Sequence, residues 1–307
     1  MSFKRLIVPS GPAPVVAIFG EVLADVFPDQ NVLGGAPFNV ARHLQAFGLH
    51  PLMISRTGTD ALGDALLQEM VQRGMDVSGM QRDVAHPTGQ VKVVLEEGGH
   101  RFDILPDQAY DYIDAEVISQ LVTAFPPRLA YFGTLALRGA DARNAAMGLL
   151  RDCQCLVFLD INLRVPWYDE AMIVASLQHA DMVKLNDDEL AVVAAMLGFE
   201  KLNAEAQAVA LQQRFALRQV LVTCGAAGSW VLDEKQRVFK VASAEVGLTV
   251  VDTIGAGDAY AAVFIQGLLN GWDMQTVLHR ASAYAAAQCQ VRGAVPPFVD
   301  VDQNQVH

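Results

Sequence analysis

The sequence predicts an α/β protein in which a mainly parallel sheet carries helices on both faces. Three observations support this. Strand-like and helix-like stretches alternate along the chain, as a parallel sheet requires. Hydrophobic residues make up 52% of the 307 positions, enough to bury a large core, and no stretch has a disordered composition. The alternation is interrupted once, at residues 88–104, where two alternating runs (90–96 and 100–105) flank Glu97-Gly98-Gly99, a hairpin turn signal. No internal repeat, low-complexity run or linker divides the chain, so residues 1–307 are expected to form a single domain.

The net charge of −12 argues against nucleic acid or an anionic membrane as the main partner. It does not argue against a nucleotide, whose phosphates answer to local amides, a few cations and a bound metal. The opening stretch has too short an apolar run before Pro9 and Pro12 for a signal peptide, and no later run reaches the ~20 apolar residues of a membrane span. A cytoplasmic enzyme is expected. Cys153, Cys155, Cys224 and Cys289 lack zinc-like pairing and are expected to be small, reduced packing residues. The seven histidines form no metal-like cluster.

In chain order, residues 15–20 (VVAIFG) read as a buried strand, and Asp25 follows it closely. An acidic residue there is either a ligand contact at the end of a core strand or a turn residue. Gly34 and Gly35 precede a helix from about 37 to 47, with Pro37 suited to its first turn. Residues 52–56 form a strand, and the next helix reaches about Gly74. The 88–104 hairpin reads either as a lid or as an edge decoration. Residues 128–133 resume the core strands, followed by a helix at 140–153 and a strand at 156–161.

Asp160-Ile161-Asn162-Leu163-Arg164 closes that strand. Arg164 presents a planar fork suited to phosphate oxygens, or pairs with Asp160. After a strand at 181–185, Asn186 and Glu189 form a capping box. Thr223 and Gly225 follow the strand at 219–223, with 229–232 as a hairpin partner. Residues 245–251 read as β-like, and helices follow at 259–269 and 273–290.

The stretch Asp252-Thr253-Ile254-Gly255-Ala256-Gly257-Asp258 thus lies where a loop enters a helix. The first amides of a helix have no partners of their own and favour anions. Gly255 and Gly257 would let the backbone approach a phosphate closely. Asp258 either offsets the helix dipole or takes a proton from a nucleophile while the amides hold phosphoryl charge. No Gly-x-x-x-x-Gly-Lys-Ser/Thr motif occurs, and the third glycine of a dinucleotide fingerprint is replaced by Tyr260.

Residues 252–258 resemble the signature of the ribokinase-like (PfkB) sugar kinases. Gly34-Gly35 with Asn39-Val40-Ala41 resembles the amino-terminal signature of the same family, and the likeness extends from residue 15 to residue 297. It implies a three-layer α/β/α sandwich with a small β lid from about 26–33 and 86–108, through which such kinases often dimerise. It implies an ATP-dependent kinase acting on a sugar hydroxyl, with Mg²⁺ and a monovalent cation such as K⁺. The resemblance makes Asp258 the base and Gly255, Ala256 and Gly257 the anion hole, with Arg164 on the phosphate. Asp25, Gly34, Gly35 and Asn39 would bind the sugar, with Arg101 as the lid's cation. Asn186 and Glu189 would order metal-bound waters, Thr223 and Gly225 would meet the nucleotide, and Asp252 would serve the monovalent cation together with the 292–294 region.

Asp160-x-Asn162-x-Arg164 resembles the fructokinase branch and implies fructose as acceptor. The lid strand Arg101-Phe102-Asp103-Ile104-Leu105 departs from that branch's pattern. Ribose, 2-keto-3-deoxygluconate and a nucleoside therefore stay open as acceptors, as does a non-catalytic sugar- or nucleotide-binding regulator on the same fold.

Overall fold

The computed structural model describes residues 13–96, 99–243, 251–291 and 293–295, and only the backbone of 94–96 and 99–101. The first half of the chain runs β1 (Val15–Phe19), β2 (Leu23–Val26), β3 (Asn31–Gly34), α1 (Ala36–Ala46), β4 (His50–Gly58), α2 (Ala61–Gln72) and β5 (Met80–Asp83). There follow β6 (Gly89–Glu96), β7 (Gly99–Ile104), α3 (Ala115–Ala124), β8 (Leu129–Gly133) and α4 (Ala140–Asp152). The second half continues with β9 (Leu156–Asp160), α5 (Glu170–His179), β10 (Met182–Asn186), α6 (Asp187–Met196), α7 (Ala204–Phe215) and β11 (Gln219–Thr223). It closes with β12 (Ser229–Leu232), β13 (Val238–Val241), α8 (Ala256–Leu269) and α9 (Met274–Gln288).

The large sheet has the order β13-β12-β11-β10-β9-β8-β1-β4-β5. From β11 to β5 it is parallel, and β12 and β13 add an antiparallel edge. The apolar runs read as core strands are buried on both faces, as parallel strands must be. Their two-residue alternation sorts side chains into two layers. Ala17, Phe19, Ala130 and Phe132 face the layer that holds α4 to α7 residues such as Leu149, Ile173 and Leu211. Val16, Ile18, Leu129 and Tyr131 face the layer of α1, α2, α8 and α9, with Phe38, Leu66, Phe264 and Leu278. The result is the expected three-layer α/β/α sandwich. From β1 the chain passes first to β4 on one side and later to β8 on the other, so the strand order reverses between β1 and β8, the kind of switch point at which such sheets commonly bind ligands.

A second sheet of order β3-β2-β6-β7 stands apart from the first. It includes the 88–104 hairpin, with Val91 opposite Ile104. Its first two strands begin before and end after the expected 26–33 segment, so that Asp25 and Gly34 themselves belong to it. The Glu97-Gly98 part of the turn lies outside the described residues, as does the β-like reading of 245–250.

The sequence reading passed over three helices, α3, α5 and α7. Each is capped by a side chain: Asp114, Asp169 and Asn203 accept from Glu116, Met172 and Ala206 amides. Two of the four cysteines also depart from expectation. Cys153 and Cys155 are joined in a disulfide, because the turn from α4 into β9 brings their Cα atoms to 5.4 Å, while Cys224 and Cys289 are free. No helix among the described residues is long and apolar enough to cross a membrane.

Candidate active site

Helix α8 starts at Ala256, three residues earlier than the sequence suggested, which places Asp258 in its first turn. Gly255 is the N-cap, with φ 77°, and offers no side chain to the free amides. A Cβ on Gly255 would lie 2.6 Å from Cα and Cβ of Ala294. Gly255 is therefore required by conformation and by packing, not only by an approaching phosphate. Gly257 differs: a Cβ there would sit 3.5 Å from Lys184 Nζ, an ordinary contact.

Helices α1 and α8 pack against each other, and Asn39 Nδ2 donates to Asp258 Oδ2 at 2.7 Å. The Asn39 amide is oriented from behind by Arg42, one turn further along α1, which donates to Asn39 Oδ1. Arg42 also donates to Leu33 O at 3.1 Å and pairs with Glu69 at 2.8 Å, and Glu69 in turn holds Arg73 at 2.9 Å. Because its oxygen is occupied by Arg42, Asn39 can turn only its NH₂ group to Asp258. Burial raises the Asp258 carboxyl to about 6, against the opposing pull of the Asn39 bond; Asp160 adds to the rise, and Lys184 and Arg164 lower it.

Two more carboxyls share this region. Asp25 is raised to about 6 by burial, with Arg164 opposing. Glu21, which the sequence reading did not single out, is buried at the end of β1 and raised to about 7 by desolvation. One Glu21 carboxylate oxygen has no partner, and the backbone amides of Glu21 and Ala36 and the charge of Arg164 oppose the rise. Its signal in the sequence was its place directly after a buried strand. Gly35 has φ 109°, and a Cβ there would meet Glu21 O at 2.6 Å; Gly34 lies beside Asp25, whose Oδ2 is 3.6 Å from where a Cβ would stand.

Arg164 is exposed, donates to Leu163 O at 3.0 Å, and has no carboxylate partner among the described residues. The alternative pairing with Asp160 fails, because Lys184 already occupies that carboxylate, at 3.0 and 2.8 Å. Arg164 is instead the cation whose charge reaches Glu21, Asp25 and Asp258.

The Asn186–Glu189 capping box is present: Glu189 N donates to Asn186 Oδ1 at 2.7 Å and Asn186 N to Glu189 Oε2 at 2.8 Å. Glu189 Oε1 also accepts from Leu163 N at 2.8 Å, tying α6 to the Arg164 loop. A cavity of about 540 Å³ opens beside it, lined at one end by Asn186, Ala256 and Gly257 and at the other by Ala285 and Ala286 of α9. Thr223 and Gly225 form part of its wall, and among the described residues no carboxylate lines it. Asp252 bonds Ile254 N at 2.9 Å and Gly293 N at 3.1 Å, joining the loop before α8 to the segment after α9. Arg292 lies outside the described residues. So does the side chain of Arg101, whose backbone pairs with Val94 in the second sheet.

The structure thus joins Asn39 to Asp258, sets Gly34 beside Asp25 and Gly35 beside Glu21, brings the charge of Arg164 to bear on both Asp25 and Asp258, and lines one cavity with Asn186, Thr223, Gly225, Ala256 and Gly257. A buried carboxylate in the first turn of a helix, bonded to a neighbouring amide and next to a cavity lined by that helix's first residues, suits phosphoryl transfer of the sugar-kinase class. Residues 13–300 match the pfkB family of carbohydrate kinases, and the chain belongs to that family. It is 30% identical to a fructokinase of Salmonella typhimurium over 269 residues, 82% of this chain and 84% of that one. An uncharacterized sugar kinase from Pyrococcus horikoshii, solved in complex with ATP, superimposes with a TM-score of 0.76 at 25% identity, over 91% of this chain and 93% of that one. A fructokinase from Xylella fastidiosa with bound ATP gives 0.82 at 22% identity over the same shares, a likeness of fold. The protein is a carbohydrate kinase.

Proposed function

We propose that the enzyme transfers the γ-phosphate of ATP to a hydroxyl of fructose, giving fructose 6-phosphate. The observation that carries this reading is the Asn39–Asp258 contact, which joins the two signature segments next to the start of α8, whose Ala256 and Gly257 line the cavity. Asp25, Gly34, Gly35 and Asn39 would bind the sugar hydroxyls, since carboxylate and amide groups accept from and donate to vicinal hydroxyls. Asp258 accepts the proton of the attacking hydroxyl. The amides of Gly255, Ala256 and Gly257 stabilise the transferred phosphoryl group, and Arg164 offsets its charge. The fructokinase relatives support fructose among the acceptors.

The cavity suits a nucleotide: small residues of α9 admit a flat base, Ala256 and Gly257 at the start of α8 line it, and among the described residues no carboxylate lines it to repel phosphates. Mg²⁺ fits through water. No group of three carboxylate, histidine or cysteine side chains among the described residues makes a protein cage, and Mg²⁺ usually keeps several waters and the substrate phosphates. Glu189, held on both oxygens by amides, is fixed to order those waters, and the metal would neutralise phosphate charge. The Asp252 loop is where K⁺ would bind. The second sheet would close as a lid over the sugar, with Arg101 on its strand β7, and pair with a second subunit.

An ADP-release assay over fructose, ribose, 2-keto-3-deoxygluconate and nucleosides tests the proposal; turnover with fructose at least tenfold below another acceptor would overturn the fructose assignment. Because Asp258 must be ionised to act, and burial raises it to about 6, kcat/KM should fall as pH drops through about 6 and level off above it. A profile still flat at pH 5 would contradict the base assignment. Arg164→Ala should lower turnover about tenfold, as loss of one charge-stabilising donor outside the hole itself; unchanged turnover at saturating ATP would remove Arg164 from the site.

A further inference from the structure

Lys184 of β10 is buried, with 6% of its surface exposed, on the face of the sheet that packs against α1 and α8. Its ammonium contacts both oxygens of its register partner Asp160 on β9, and Asp160 Oδ2 also accepts from Tyr131 Oη of β8 at 3.1 Å. Neighbouring strands thus lay a row of three polar side chains across the sheet on the side that faces α8. Stability alone does not account for such a row. A buried ion pair is commonly no more stabilising than apolar residues of the same volume, because desolvation offsets the attraction. Its position is informative: Lys184 Nζ lies directly behind Gly257, 3.5 Å from where a Cβ would be, and Gly257 lines the cavity on its other side. Neither a positive φ nor a steric clash requires glycine at 257.

We propose that Lys184 is a positioning residue for phosphoryl transfer, a fixed positive charge that Asp160 holds behind the amide pocket and that acts through the position where Gly257 has no side chain. The inference rests on the reading of Asp258 and the glycine loop as the reaction centre. The ammonium is neutralised locally by Asp160, yet its field reaches Glu189 and Asp258, the carboxylates on either side of the transferred group. A preorganised charge behind a row of amides strengthens an anion hole without reorganising during the reaction. An alanine methyl at 257 would shield that charge, whereas glycine leaves it open.

The test compares Lys184→Met, Lys184→Arg, Asp160→Asn and the neutral pair D160N/K184M with the parent, on fructose or whichever sugar the parent phosphorylates. Lys184→Met should lower kcat about tenfold or more with KM for the sugar unchanged, and Lys184→Arg should restore part of the loss. The acid limb of kcat/KM should move up in pH in Lys184→Met and down in Asp160→Asn, because the lysine lowers and the aspartate raises Asp258. The other groups bearing on Asp258, namely Asn39, Arg164 and Glu21, are unchanged in both. A merely structural pair would not shift the two limbs in opposite directions. If Lys184→Met does not fold, the neutral pair takes its place and should show the same loss of kcat. A kcat within twofold of the parent in the folded variant, or limbs that move together, overturns the proposal. An inactive parent, or a fully active Asp258→Asn, would instead overturn the underlying reading of the site.

Discussion

Asp258→Asn is expected to fold like the parent and to lose turnover by about 10²- to 10⁴-fold, the usual contribution of a positioned general base. The substitution keeps the shape of the side chain. Its amide can turn its oxygen to Asn39 Nδ2, so the 2.7 Å link between α1 and α8 survives. Only the capacity to take a proton is lost. On the proposed reading, binding of sugar and nucleotide rests on Asp25, Asn39 and the cavity, so KM should change little while kcat falls. Steady-state kinetics together with a thermal melt would check this. A melt like the parent's with turnover reduced less than tenfold would mean that the carboxylate serves only to offset the helix dipole.

Gly255→Ala is expected to damage both folding and activity. A non-glycine residue at φ 77° costs about 1–2 kcal/mol by itself. Its Cβ would also stand 2.6 Å from Ala294 Cα and Cβ and 2.8 Å from the Ala294 carbonyl oxygen, so the loop or the 293–295 segment must move. Either movement displaces the amides at the start of α8, and a displacement of about 1 Å in a reacting group can cost about 10²-fold in rate. Gly257→Ala is the control for stability alone, because its methyl meets only Lys184 Nζ at an ordinary distance and φ there is not positive, although it would shield the Lys184 charge from the pocket. It should melt with the parent, whereas Gly255→Ala should melt several degrees lower and turn over about 10²-fold more slowly. Parental kcat in Gly255→Ala would show that loop geometry does not set the rate.

Some features were legible in the sequence because they are local. The run VVAIF at 15–19 has no polar residue and could only be a doubly buried strand, and Asn186 with Glu189 declares a capping box by spacing alone. The entry into α8 was legible too, since glycines before an apolar run mark a helix start. Helices α3, α5 and α7 were overlooked although Asp114, Asp169 and Asn203 cap them, because a cap residue in an otherwise mixed stretch does not differ from a turn residue. The partner of Asp160 was left open between alternatives in the sequence for another reason. Arg164 is four residues away in sequence, but Lys184 is directly opposite in the parallel ladder, and register outranks sequence distance.

By itself, then, the sequence determined the alternation of strands and helices, the two glycine-marked helix entries and the family to which the chain belongs, since all of these depend on residue order within a short window. The tertiary structure alone decided that Asn39 meets Asp258 across 219 positions, that Arg42 fixes which end of that amide faces the carboxylate, and that Glu21 joins the site. It also decided that a lysine lies behind Gly257. Such placements depend on which strands become neighbours and which helices share a face. They are properties of long-range packing, which no local spacing of residues encodes.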